Sequence, residues 1–264
     1  MAKTVIEIIK ESFVDIKKYA LNKVLMLSFI FTSTISIWTL VIEKIFNLKE
    51  FSSNAGFLIS MLITMFISTI QTEKMYAIKN NEKSQKKYKD YLRAFFKILL
   101  YTILGLLIIM GIIFVGLLDA VLFEGIYKAI THTMQTKILS ITEIIVLSII
   151  VLAVFIALLF VMTKMIFIPY LIILTDEKKP LRKSFELSNG KFWNIQKIFL
   201  IYLILLIPVI IYSIINLKMY EKDKMFYYVL IAPYFFISNI IETSINITFF
   251  KEVYKESKTV IEKN

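Results

Sequence analysis

The stretch EIIVLSIIVLAVFIALLFVMTKMIFIPYLIIL, residues 143–174, decides the fold class of this chain. After its first residue it carries one ionisable side chain, that of Lys164. A helix of about 20 mostly apolar residues crosses the roughly 30 Å of hydrocarbon in a bilayer, and it satisfies its own backbone hydrogen bonds. This stretch is longer than that, so it predicts a membrane-spanning helix.

The composition of the whole chain agrees with a membrane protein. Of its 264 residues, 58% are hydrophobic and 19% are charged. Ordinary soluble domains are about 45–50% apolar and about 25% charged. The chain has no cysteine, which excludes disulfides and thiolate metal sites.

Six stretches of the sequence are apolar over a sufficient length to cross a bilayer. They are residues 24–42, 57–78, 98–118, 143–174, 198–216 and 225–250. They predict an all-α fold, a polytopic six-helix transmembrane bundle that forms a single membrane domain over residues 1–264.

Basic residues are distributed unevenly among the connecting segments. Residues 1–23, 74–97, 178–197 and 251–264 carry 23 of the 31 lysines and arginines, whereas the alternate connections carry seven. Cytoplasmic loops are the ones enriched in Lys and Arg. The sequence therefore predicts a multi-pass protein of the bacterial plasma (inner) membrane with both termini in the cytoplasm.

The formal net charge of +11 has two interpretations. Basic proteins often bind nucleic acid. Here acidic residues are interspersed, and the positive side faces the anionic inner leaflet. We therefore predict membrane lipids, and no nucleic acid, as partners.

The basic connections also contain apolar residues at helical spacing. Residues 5–20, 88–97 and 180–188 predict cytoplasmic amphipathic helices that lie at the membrane interface. Such a helix either contacts a cytosolic partner or anionic lipid, or only forms the ordered start of the next span. The candidate contact residues are Lys87, Lys89, Arg93, Lys97, Arg182, Lys183 and Trp193.

Two ionisable residues lie at bilayer depth, Lys164 and Glu242. A charge in hydrocarbon costs about 2.5–3.5 kcal/mol on insertion scales, so each residue requires an explanation. Both lie in the predicted cytoplasmic half, and we expect them to form a pair or to share a hydrated cavity. Alternatively, the long stem of Lys164 reaches the inner interface.

Glu242 belongs to a polar stripe, with Asn239 and Asn246 at positions three before and four after it. Lipid cannot satisfy such a stripe, so it must face other helices or a hydrated path. Milder stripes of Ser and Thr in the first two spans predict packing seams.

Pro169, Pro208 and Pro233 predict kinks in the last three spans. These kinks indicate a cavity or a hinge.

Known catalytic motifs are missing from the sequence. It contains no GxxxxGK[ST], GxSxG or HExxH run, and its one histidine, His132, has no partner at metal-ligand spacing. We therefore predict no catalytic residue, no metal site and no cofactor.

Residues 168–195 resemble a known pattern. Ile168, Pro169 and Tyr170 precede the acidic pair 176–177, and PLRKSFELSNGKFWNI follows at 180–195. This run is similar to a region of a broad family of bacterial six-helix membrane proteins, which includes the membrane domain fused to some glycerophosphodiester phosphodiesterases. The resemblance covers the second half of the chain and implies six helices. The phosphodiesterase activity belongs to a separate domain and is not carried over.

The sequence leaves two functions open. The first is a non-catalytic membrane protein that binds a lipid or amphipathic peptide or supports membrane integrity. The second is a permease subunit of an ATP-driven exporter, which requires a cytosolic ATPase as partner and normally works as a homodimer.

Overall fold

The computed structural model describes residues 3–46, 55–82, 86–131, 138–175, 177–216 and 223–261, which form ten helices and no strand. The helices are α1 (Val5–Ala20), α2 (Lys23–Ser33), α3 (Ile35–Phe46), α4 (Ala55–Lys79), α5 (Tyr88–Thr131), α6 (Ile138–Met165), α7 (Ile168–Leu174), α8 (Pro180–Ser188), α9 (Phe192–Ile215) and α10 (Lys224–Ile261). The prediction of an all-α fold is confirmed. His132 lies outside the described residues.

Four helical segments of the described chain are long and apolar enough to cross a membrane. They are Tyr88–Asp119, Ile144–Leu174, Phe192–Ile215 and Lys224–Ser257, and the bent pair α2 and α3 makes a fifth if it counts as one span. The remaining predicted span lies in α4, whose second half carries Glu73, Lys74 and Lys79. Helix α4 is not among the candidate spans found in the described residues.

The first predicted span is bent rather than straight. Helices α2 and α3 meet at Thr34 with an angle of 60°. The Ser33 hydroxyl donates to the Phe29 carbonyl (2.8 Å), and the Thr34 hydroxyl donates to the Ile30 carbonyl (2.9 Å). Hydroxyls that bond to the preceding turn in this way often bend helices.

The polar stripes of the first two predicted spans face each other. The side-chain amide of Gln71 donates to the Thr32 hydroxyl (3.4 Å), and the hydroxyls of Thr39 and Ser60 are 2.7 Å apart. These bonds join α4 to the bent pair, so the expected packing seam is present.

One of the predicted interfacial helices is the beginning of helix α5. It runs without interruption from Tyr88 to Thr131, so residues 88–97 are its first turns. Tyr91 and Phe95 are buried there, and the Tyr91 hydroxyl donates to Glu73 Oε2 (2.8 Å). This segment forms the ordered start of a span.

The prolines differ in their effect. The chain leaves helical geometry at Ile166 and Phe167, and Pro169 lies in the first turn of α7, where the missing amide hydrogen costs nothing. Helices α9 and α10 continue through Pro208 and Pro233. Of the three predicted kinks, the one at Pro169 thus coincides with a break between helices.

The packed core lies at one end of the bundle, which we call the α1 end. Its largest cluster joins side chains of α1, α7, α8, α9 and α10, with Phe167, Leu171, Ile195, Ile198, Ile245 and Phe250 nearly inaccessible. Away from this end, α5, α6 and α9 expose many large apolar side chains. Such surfaces are stable when lipid surrounds them.

A buried ion cluster fixes α1 to the bundle. The Lys79 ammonium lies 2.7 Å from Glu11 Oε1, 2.6 Å from Asp15 Oδ2 and 2.9 Å from the Thr248 hydroxyl. The side chains of Lys79 and Asp15 are only 3% and 6% exposed. Burial alone would raise the pKa of Glu11, but its bonds to Lys3 and Lys79 prevail and hold that pKa below its ordinary value.

We predict that Lys79→Met lowers the free energy of unfolding by about 3–5 kcal/mol, because two carboxylates lose a buried partner. Lys18→Met is the matched control. Lys18 also pairs with Asp15 (3.2 Å), but its side chain is 52% exposed, so we expect a loss of about 0–1 kcal/mol. Denaturant titration in detergent micelles measures both. Equal losses for the two variants would contradict a buried cluster.

Candidate functional site

The stripe of α10 that contains Glu242 faces α9. The Tyr202 hydroxyl of α9 donates to Asn246 Oδ1 of α10 (2.7 Å). A second polar contact joins the same helices further along, where the hydroxyls of Ser213 and Tyr227 are 2.6 Å apart. Backbone contacts between α9 and α10 are sparse, so side chains bridge much of the space between them.

Glu242 lies on α10 between these two contacts. It precedes Asn246 by one turn, and residues four apart share a helix face. Its side chain is exposed, and within the described residues its carboxylate has no hydrogen bond and no ion pair. It interacts electrostatically with the hydroxyls of Tyr170 and Tyr202. We call Tyr170, Tyr202, Glu242 and Asn246 the Glu242 site.

The break before α7 brings Tyr170 to this site. The ring of Tyr170 stacks on Phe250 of α10, with centroids 5.6 Å apart and an interplanar angle of 28°. Phe250 is fully buried in the core cluster, so it gives the Tyr170 ring a fixed support. Sequence elements far apart in the chain, α7, α9 and α10, thus present polar atoms to one place.

Lys164 is not part of the Glu242 site. Its ammonium lies 5.4 Å from the ring centroid of Phe160 and 5.8 Å from that of Phe185, within the range of cation–π attraction. The described residues contain no ion pair between Lys164 and Glu242. The expected pair is therefore not formed, because the face of α6 that carries Lys164 packs toward α8 instead.

Asn239 and the three prolines lie around the site without entering it. Asn239 is one turn before Glu242, and its carbonyl accepts a hydrogen bond from the Thr243 hydroxyl (2.7 Å). Pro169 is adjacent to Tyr170 in the chain. Pro208 and Pro233 lie further along α9 and α10.

Six of the seven predicted contact residues are exposed, and Lys183 is half-buried. Lys87, Lys89, Arg93 and Lys97 are accessible at the beginning of α5, and Trp193 is 75% exposed at the beginning of α9. On α8, Arg182 and Lys183 each lie 3.2 Å from Glu186. Hydrogen bonds from Lys183 and Arg182 hold the pKa of the Glu186 carboxyl below its ordinary value.

Two apolar grooves run between α5 and α6. One, of about 220 Å³, is lined by Gly105, Met165, Pro169 and their neighbours. The other, of about 530 Å³, is lined by Gly111, Gly116, Val154 and their neighbours. Glycine permits these grooves because it contributes no side chain. Both are lined mainly by apolar side chains, and the larger one lies within the roughly 300–1,000 Å³ of typical ligand pockets.

Comparison with protein-family models, curated proteins and solved structures found no match for this chain. The resemblance to six-helix bacterial membrane proteins remains a hypothesis based on residues 168–195.

Sequence reasoning found Glu242 and Asn246 but missed the two tyrosines. Tyr170 and Tyr202 lie in long apolar runs, where a tyrosine usually indicates an interface position. A signal was nevertheless present, because a buried Tyr hydroxyl requires an acceptor and the Asn246 amide offers one.

We predict that Tyr202 and Asn246 are energetically coupled. A double-mutant cycle of Tyr202→Phe and Asn246→Ala measures this coupling in the free energy of unfolding, and hydrogen bonds between membrane helices give about 0.6 and up to about 1.7 kcal/mol. As a control, Tyr202→Phe with Thr243→Val is expected to be additive, since the Thr243 hydroxyl bonds within its own helix. Additive losses in the first cycle would refute the contact.

A second prediction concerns the groove glycines. A Cβ at Gly116 would lie 2.4 Å from Val154 Cγ2, whereas a Cβ at Gly111 meets no atom within 4 Å. Gly116→Ala should therefore destabilise the protein by about 1–3 kcal/mol. Gly111→Ala should be neutral or stabilising by up to about 1 kcal/mol, because alanine is the better helix former. Thermal unfolding in detergent compares the two, and identical behaviour would contradict the close approach of α5 and α6.

Proposed function

We propose that this chain is a non-catalytic, six-span protein of the bacterial plasma membrane that binds a lipid or amphipathic peptide. The observation that carries the proposal is the exposed carboxylate of Glu242, without a partner in the described part of the chain, inside a predicted membrane span. Hydrocarbon cannot solvate a carboxylate, so a polar group from outside the chain is needed. A ligand with a polar head supplies that group.

The surroundings of the site favour an amphipathic ligand. Beside Tyr202, α9 exposes Leu203 and Leu206. An apolar chain can lie on this surface while its head reaches Glu242, as in ligand sites that combine apolar walls with a few placed polar groups. The grooves between α5 and α6 offer separate surfaces for acyl chains.

The proposed topology places both termini in the cytoplasm. Counted as one span, the bent pair α2 and α3 and the apolar first part of α4 bring the number of spans to six. Since the chain contains no cysteine, single cysteines report on each side without background. We expect Lys44→Cys to react with a membrane-impermeant maleimide in intact cells, and Lys89→Cys and Arg182→Cys to react only after lysis. The reverse pattern would contradict the proposed orientation.

The binding function is tested by purifying the chain in a neutral detergent and measuring bound phospholipid by native mass spectrometry. We expect lipid at a defined stoichiometry that survives detergent exchange. A chain that retains no lipid and regains none when phospholipid is added would refute the proposal.

The second candidate is the permease subunit of an ATP-driven exporter. The exposed Arg182 and Trp193 at the α1 end favour it, because these residue types are enriched in protein interfaces. Affinity purification in mild detergent distinguishes the two. A stoichiometric ATPase with a dimer of this chain supports the permease, and a monomer with bound lipid supports the first proposal.

A further inference from the structure

We propose that the Glu242 site recognises an ammonium group, so that the ligand is an amphiphile with an amine in its head. This inference rests on the proposed function and specifies the ligand of the same site. It follows from where the cations of the chain are held, from the atoms that surround Glu242 and from the apolar surface beside them.

Four lysines of the helices around the site are engaged elsewhere. Lys79 binds Glu11 and Asp15, and Lys164 lies over two phenyl rings. Lys251 donates to Asn80 Oδ1 (2.5 Å), and Lys191 pairs with Glu256 (2.5 Å). Within the described ranges, no ion pair joins a Lys or Arg to Glu242. In this part of the chain the carboxylate therefore has no counter-charge, and an ammonium ligand would supply one.

The groups around Glu242 suit an ammonium ion. The carboxylate provides the negative charge, and the Tyr202 hydroxyl, which bonds to Asn246 one turn along α10, provides an oxygen acceptor on the same face. Ammonium groups are also attracted to tyrosine ring faces, by about 0.5–2 kcal/mol depending on desolvation. An anionic head without an amine would be repelled by the carboxylate.

The apolar surface beside the site selects an amphiphile over a free amine. Leu203 and Leu206 extend along α9 next to Tyr202 and are 59% and 42% exposed. A soluble amine would leave this surface without a partner, whereas an acyl chain covers it.

The test is native mass spectrometry of the full chain in neutral detergent with equimolar phosphatidylethanolamine and phosphatidylglycerol of identical acyl chains. We expect the wild type to prefer phosphatidylethanolamine about tenfold, which corresponds to one well-placed ionic contact. Glu242→Gln keeps the size of the side chain but removes its charge, so it should reduce the preference to about one. Glu242→Asp keeps the charge and should retain the preference. Glu256→Gln, on the same helix, is the matched control and should behave as the wild type. The thermal unfolding midpoint of each variant verifies folding.

Each outcome decides a different point. If Glu242→Gln keeps the preference, the ammonium inference is wrong while the lipid-binding function stands. If the wild type binds both lipids equally, the inference is likewise overturned. If no lipid binds to any variant, the proposed function fails. If soluble ethanolamine at the same concentration displaces the lipid, the ligand is a free amine, and the amphiphile is refuted.

Discussion

Hydrocarbon offers no hydrogen bonds, and this constraint governs how the polar groups of the chain are arranged. Most of them find partners within the protein. Tyr202 bonds to Asn246, Thr39 contacts Ser60, and Lys79 lies between two carboxylates. The carboxylate of Glu242 differs from these groups, because its described surroundings contain tyrosine hydroxyls but no cation.

Helix α10 carries polar side chains on two different faces. Ser244 and Thr248 face α1 and α4, where they bond to Ser12 and to Lys79. Glu242 and Asn246 lie roughly 120–160° around the helix from them, and Asn246 contacts α9. The first face is closed, since α1 covers it. The second is open, since α9 reaches it through long side chains. Helix packing and the proposed ligand site thus lie on different faces of one helix.

The docking of α1 has a consequence for its position in the membrane. The face of α1 that packs on the bundle contains Ser12 and Asp15, whereas Ile6, Phe13 and Val14 are exposed. The exposed side of α1 also carries Glu7, Lys10, Lys17 and Lys18, so it combines apolar and charged side chains, as helices at a membrane interface do. The ion cluster therefore does more than hold the N-terminal helix, because it also determines which apolar side chains of α1 remain on the outer surface.

The sequence was sufficient for the features that depend on local chemistry, such as the α-helical class, the long apolar segments and the short helix over residues 180–188. It was insufficient where tertiary partners decide. Glu11 and Asp15 have the spacing of a solvated helix face. They belong to a buried cluster only because α4 packs on α1 and places Lys79 between them. Lys164 and Glu242 lie at similar predicted depth, but depth does not determine the direction of a side chain around its helix axis. Because α8 presents Phe185 to Lys164, the lysine ammonium lies over that ring, and no ion pair in the described part of the chain joins it to Glu242.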